Sequence, residues 1–274
     1  MRELKEIQRM RVVYQLPHME QVSVRKDIIY KTVNGEDLKM DVYYPLTMQN
    51  MTPRPAVLLV HGGSQPEHIE HVKESGPYVS WGQLIAASGF IAVMFKHRTD
   101  EGFTQLHEAS SDVDDLVSYV RKNGVSLHID ADALCIWAFS HGPISGLRTA
   151  LRDTPVYIRC LVSYYGGMSL MNPHYFHFRA EEEDLVKEFS PVYHLQHVDP
   201  TKVAPLFIAK AGKDRAFLNE ALDEFSHIAS KRNIPLTFMN HPKGEHGFDI
   251  FNDDARTREI IKATLAFLSE HLEK

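Results

Sequence analysis

The sequence predicts a layered α/β fold: a mostly parallel central sheet, an antiparallel hairpin leading into it, and helices on both faces. Three observations carry that expectation. Short, mostly apolar runs recur at 56–60, 90–95, 134–139, 158–165 and 206–211, as strands buried on both faces require. Stretches with apolar residues at helical spacing alternate with them. Ahead of them all stands one pair of segments with the period-two pattern of a half-buried hairpin.

The hairpin comes first. Val22, Val24 and the run 28–30 lead to Asn34-Gly35, after which Leu38, Met40, Val42 and Tyr44 alternate until Pro45. Asn-Gly supplies the positive φ angles of a tight turn. The run 56–60 is the first buried strand; a helix over 81–88 stops at Gly89, a residue suited to the left-handed C-terminal cap, and 90–95 is the next strand. Val113, Leu116, Val117 and Val120 fall at i, i+3, i+4 and i+7 of an amphipathic helix that Gly124 closes. A third strand over 134–139 precedes a helix over 143–151, and 158–165 and 206–211 are the fourth and fifth. A helix over 217–230, a short strand over 236–239 and a C-terminal helix with Ile261, Leu265 and Leu268 on its buried stripe complete the order.

Nothing in this layout marks a linker or repeat, so residues 1–274 are expected to form one domain with residues 1–20 as an N-terminal extension. The interval 166–204 is long for a connection in such a fold. It carries Tyr175, Phe176 and Phe178, then the acidic run 181–184. It reads either as a small lid insertion over a site or as an ordinary helical excursion, with the acids as a solvated helix start.

Composition narrows the function classes. Hydrophobic residues make up 43% and charged residues 24% of 274, the balance of a soluble globular chain. The net charge of -6 and the isoelectric point near 6.2 argue against a nucleic-acid surface. No run reaches the ~18 apolar residues of a membrane span, and the first residues carry acids where an export signal needs an apolar core, so a cytoplasmic protein is expected. Cys135 and Cys160 lie inside apolar runs and are expected to be buried, reduced thiols.

The chemistry concentrates around Ser140. In the stretch 135–143, CIWAFSHGP, a buried strand runs into a serine and then a helix, with small residues two before and two after it. A serine on a sharp strand-to-helix turn needs that clearance because neighbouring backbones approach closely. The G-x-S-x-G pattern appears here as A-F-S-H-G. Alone, the motif is matched equally well by a serine that merely caps a helix. A hydroxyl is a weak nucleophile and needs a base, itself oriented by a carboxylate. In sheets that carry such a turn the order is serine, acid, histidine. Asp214 follows the fifth strand in PLFIAKAGKD, and His246 follows the last strand in HPKGEHGFD. Each stands where open α/β sheets place their sites. His241, His141, Asp249 and Glu245 are rivals for these roles: His141 is expected to point away from the nucleophile, and the two acids sit too near His246 in sequence to orient its ring easily. After the first buried strand the chain reads HGGS over 61–64, where glycines let backbone N–H groups converge on an oxyanion. The predicted hole combines the N–H of His141 with that of Gly63 or Ser64. The histidine pairs 68/71 and 174/177 lack further ligands at metal-binding spacing, so no metal is expected.

HGGS, AFSHG, AGKD and GEHGF, in that order, resemble the α/β-hydrolase serine esterases that overlap the dienelactone hydrolase-like and prolyl oligopeptidase-like groups. DIIYKTVNGEDLKMDVYYP is similar to the lead-in hairpin of that group, and EFSPVYHL to the segment before its acid strand. The resemblance runs from about residue 22 to the C-terminus. It implies the α/β-hydrolase fold, an acyl-enzyme on Ser140 with His246 and Asp214 as base and orienting acid, a small-molecule ester as substrate, and no cofactor. Dienelactone hydrolases proper carry a cysteine at the nucleophile position, so Ser140 departs from that activity. A carboxylesterase is the leading expectation; a peptidase or thioesterase with the same triad, or a catalytically silent binding module, are the alternatives. The oligomeric state is left open, a homo-oligomer included.

Overall fold

Asn34 and Gly35 turn the chain at φ angles of 52° and 85°, the left-handed conformations of a two-residue hairpin turn. They join β1 (Ser23–Val33) to β2 (Glu36–Tyr44), antiparallel, with Val33 opposite Glu36. The computed structural model describes residues 4–273 apart from 47, 49–51, 101 and 178; Phe178 of the interval above therefore lies outside the described residues. Six further strands follow: β3 (Arg54–Val60), β4 (Ile91–Phe95), β5 (Ile129–Phe139), β6 (Ile158–Tyr164), β7 (Leu206–Ala211) and β8 (Leu236–His241). They assemble in the order β1-β2-β4-β3-β5-β6-β7-β8, antiparallel between β2 and β4 and parallel from β4 to β8.

The apolar runs are explained by the layers on either side. Along β5, Leu134, Ile136 and Ala138 pack in the cluster that holds the helix Leu106–Lys122, the helix Gly146–Asp153 and the helix Ala216–Lys231. The intervening Cys135, Trp137 and Phe139 pack in the opposite cluster, with the helix Gly76–Ala87 and the helix Ala255–Leu272. Both faces exclude water, so no alternation of polarity survives in these strands. Cys135 and Cys160 are opposite each other on β5 and β6, both buried free thiols. Between β3 and β5 the strand order reverses, since β3 leads on to β4 on one side and β5 to β6 on the other. A crevice opens outside the carboxyl ends of strands at such a point.

Some elements depart from their predicted bounds. The helix expected over 143–151 begins as a 3₁₀ turn at Gly142–Ile144 and becomes α-helical only at Gly146–Asp153. Tight i→i+3 bonds, from Ile144 N–H to His141 O and from Ser145 N–H to Gly142 O, close that first turn. The fourth strand stops one residue short, because Tyr165 takes a positive φ of 40°. On the C-terminal helix Leu265 is only partly buried, and Ile260, Thr264 and Phe267 join Ile261 and Leu268 on the inner face. The N-terminal segment folds back on the body: Val12 is fully buried, its N–H donates to Ser80 Oγ, and the Val13 N–H donates to Asp249 O.

Candidate active site

Ser140 follows the last residue of β5 with φ 54°, a left-handed conformation costly for a residue with a Cβ. The surroundings hold it there. Its N–H donates to Tyr164 O on β6, and its carbonyl accepts from the Gly167 N–H at 2.6 Å. Small neighbours make the turn feasible. A Cβ on Gly142 would stand 2.6 Å from the Val60 carbonyl oxygen, and one on Gly62 would stand 2.8 Å from Ser140 Cβ. The second small position, Ala138, is buried within the β5 core and accepts a methyl group.

Three of the predicted side chains come together. Ser140 Oγ lies 2.8 Å from His246 Nε2, and His246 Nδ1 lies 2.6 Å from Asp214 Oδ2. Asp214 leaves β7 with its side chain 2% exposed, and its other oxygen accepts the Arg215 N–H at 2.8 Å. A carboxylate satisfied in this way fixes Nδ1 as the protonated nitrogen and leaves Nε2 free to accept. The rivals stand elsewhere. His241 is buried, within 3.0 Å of Thr257 Oγ1 and 3.1 Å of Asp254 Oδ2. Glu245 is exposed.

The serine opens into a cleft of about 840 Å³. The N–H groups of Gly63, Ser64 and His141 border it and have no acceptor among the described residues, as an oxyanion hole requires. The Gly62 N–H is engaged by Tyr78 Oη at 3.3 Å. Beneath this loop the buried rings of His61 and His97 stack with centroids 3.7 Å apart. Burial lowers the pKa of both, so they pack as neutral rings. His141, expected to point away from the nucleophile, makes no side-chain hydrogen bond with Ser140 Oγ among the described residues. Its ring lines the cleft, edge-on to Phe103 at 4.3 Å, and burial pushes its pKa down to about 4.

Apolar walls come from parts of the chain that carried no motif: Ile7 of the N-terminal segment, Phe103, Ile144, Phe176, Phe217 and Leu218. The interval 166–204 supplies Gly167, Ser169 and Phe176 and then the helices Glu183–Glu188 and Pro191–His197. Phe103 and Phe176 meet edge to face, as do Phe176 and Phe217, an arrangement no local sequence pattern announces.

Behind the histidine sits Asp249, fully buried, accepting 2.7 Å hydrogen bonds from Trp81 Nε1 and Tyr165 Oη. The Tyr165 ring packs against His246 with centroids 4.7 Å apart. Burial raises the Asp249 pKa, opposed by these two donors. Trp81 and Tyr165 are core residues that donate to this carboxylate. Among the described residues no group of three or more His, Cys, Asp or Glu is placed to hold a metal ion, and no helix is long and apolar enough to cross a membrane.

The sheet, its helical layers and the strained serine at the end of β5 define the α/β-hydrolase fold. Residues 40–153, from β2 to the end of the helix Gly146–Asp153, match the BD-FAE family. The solved structure of a thermophilic esterase from the planctomycete Thermogutta terrifontis is similar over 97% of this chain and 96% of its own, with a TM-score of 0.71 and 19% identity. The same organism's esterase 2 phosphorylated by paraoxon gives a TM-score of 0.70 at 17% identity, over 93% of this chain and 95% of that one. Dipeptidyl aminopeptidase BIII of Pseudoxanthomonas mexicana is 26% identical over 224 residues, covering 72% of this chain and 30% of that protein. The chain thus spans under a third of that relative's length.

Proposed function

We propose that the chain is a serine carboxylesterase acting through an acyl-enzyme on Ser140. The observation that carries this reading is the continuous relay from Asp214 through His246 to a strained Ser140, 2.6 Å and 2.8 Å between heavy atoms, beside three N–H groups without an acceptor among the described residues. His246 Nε2 takes the Ser140 proton as Oγ bonds to the ester carbonyl carbon. The oxyanion rests on the N–H of His141 and that of Gly63 or Ser64, each such donor being worth about 3 kcal/mol of barrier. As the tetrahedral intermediate collapses, the C–O bond to the alcohol breaks and His246 returns the proton to the departing oxygen. Water, deprotonated by the same imidazole, then releases the acid and restores Ser140. Asp214 stays ionised and holds the imidazolium throughout.

The esterase among the structural neighbours supports this choice of substrate. The aminopeptidase relative favours the peptidase alternative, yet an aminopeptidase needs a carboxylate or carbonyl clamp for the substrate amine. No acidic side chain is among the described residues lining the cleft. The test is covalent labelling. A fluorophosphonate or paraoxon should modify wild type stoichiometrically at Ser140, and an ester panel should be turned over by wild type but not by Ser140→Ala. A folded protein that forms no adduct would instead be a silent binding module, and faster turnover of thioesters or aminoacyl amides than of oxygen esters would select one of the other hydrolases.

A further inference from the structure

We propose that Arg215 is the specificity-determining residue of this site and that the preferred ester carries a carboxylate. The proposal rests on the esterase reading above. Arg215 lines the catalytic cleft, and its side chain is 58% exposed. It is the only lysine or arginine among the described lining residues, and no aspartate or glutamate accompanies it there.

The guanidinium is held without being consumed. It lies over the Phe217 ring, 5.6 Å from the centroid. Its nearest anion, Asp214 Oδ1, is 3.7 Å from Nε, beyond hydrogen-bond distance. That carboxylate is already committed, one oxygen to His246 and the other to the Arg215 backbone N–H. The guanidinium makes no hydrogen bond to any described residue, so its planar fork of donors remains open to the cleft. A planar fork matches one carboxylate through two parallel bonds, whereas a phosphate dianion calls for more cations than this cleft offers.

The rest of the cleft agrees with such a ligand. His68 and His141 also border it, and burial lowers the pKa of both, so neither adds positive charge at neutral pH nor replaces Arg215. The whole chain carries -6, so long-range attraction does not gather anions and a local cation must select them. Phe103, Phe176, Phe217 and Leu218 provide an apolar bed for the remainder of the molecule. A chain of contacts runs from the guanidinium through Asp214 and His246 to the nucleophile. Arg215 and Ser140 line one cleft, so an ester with its carbonyl at Ser140 can place a carboxylate of the same molecule against the guanidinium. The class indicated is a half-ester of a dicarboxylic acid, or an ester whose alcohol bears the carboxylate.

Matched substrates test this on the full chain. Monoethyl glutarate is compared with ethyl butyrate, and 4-carboxyphenyl butyrate with phenyl butyrate, with Ser140→Ala as the control for the esterase reading. In at least one pair the anionic ester should show kcat/KM about tenfold higher, carried by KM and shrinking as salt rises. Arg215→Gln should bring that ratio to about one, and Arg215→Lys should restore part of it. Ratios near one in both pairs, or a preference that survives in Arg215→Gln, would overturn the proposal while leaving the esterase reading intact. If no ester is hydrolysed, that reading fails by itself and binding still decides about Arg215. Phenylacetate titrated calorimetrically into Ser140→Ala should bind about tenfold more weakly once Arg215 is glutamine. Equal affinity in the two backgrounds would count against it.

Discussion

Replacing Tyr165 by phenylalanine removes one hydroxyl and leaves the ring packed on His246. That hydroxyl is one of two donors to Asp249, a carboxylate with 0% exposure. A hydrogen bond to a charged group contributes about 1.5–3 kcal/mol, and no solvent reaches this site to take the donor's place. With no apolar surface lost, Tyr165→Phe should destabilise the fold by about 2 kcal/mol while Asp249 remains ionised. This is a large share of the ~5–15 kcal/mol that holds a typical domain together. A pH dependence accompanies the loss. Burial raises the Asp249 pKa in the folded state, so between its unfolded and folded values the folded protein binds the extra proton. Stability from this group is then present below the unfolded pKa and lost as pH rises through the folded one. Removing a donor raises the folded pKa further, so the penalty of Tyr165→Phe should be largest near pH 8 and shrink as pH falls toward that pKa. Urea unfolding at several pH values, with the m-value constant, reads the difference directly. A loss below about 0.5 kcal/mol at pH 8, or a loss that grows on acidification, would refute a charged Asp249 held by these donors. A cycle with Trp81→Phe should show coupling through the shared carboxylate.

His246→Ala should lower kcat by about 10⁴-fold or more, whereas His241→Ala, whose ring is bonded to Thr257 and Asp254, should reduce stability and leave turnover per folded molecule within about tenfold; steady-state kinetics beside urea melts separate the two. Gly142→Ala drives a Cβ to 2.6 Å from the Val60 carbonyl and should cost about 1–3 kcal/mol, visible as a lower urea midpoint. His61, His97 and His141 all have pKa values depressed by burial, the last to about 4. The unfolded chain takes up protons at these sites first, so stability should fall as pH drops from about 6.5 toward 4.5, by up to ~1.4 kcal/mol per pH unit for each imidazole. A melting temperature flat across that window would contradict their burial as neutral rings. Ile7→Asp should raise KM for apolar esters several-fold with little change in kcat, since Ile7 borders the cleft but touches no reacting group.

Much of this architecture is legible in the sequence because its determinants are local. The runs at 56–60 and 134–139 are apolar for a reason that acts on each residue, two covered faces, and Asn34-Gly35 dictates its own backbone. That Ser140, Asp214 and His246 meet could be anticipated because a strand end, a turn and a polar residue coincide three times in a fixed order. What escaped depends on contacts between distant segments. Asp249 looked too close to His246 to orient it, and the structure connects the two through Tyr165, 84 positions away, whose hydroxyl donates to Asp249 and whose ring packs on His246. The meeting of Ile7, Phe103, Phe176 and Phe217 follows from how loops pack, for which spacing along the chain carries no information.

The origin of each wall has an evolutionary consequence. The serine, the acid, the histidine and the glycine loop all hang from the ends of β3, β5, β7 and β8, while the aromatic bed and Arg215 sit on connecting segments or at their junctions with helices. If the proposed roles hold, reactivity and selectivity are inherited through separate stretches of gene. On the esterase reading, a library restricted to residues 4–10, 102–105, 169–177 and 217–221, which leaves Gly167 and its bond to the Ser140 carbonyl untouched, is where new substrates should emerge fastest.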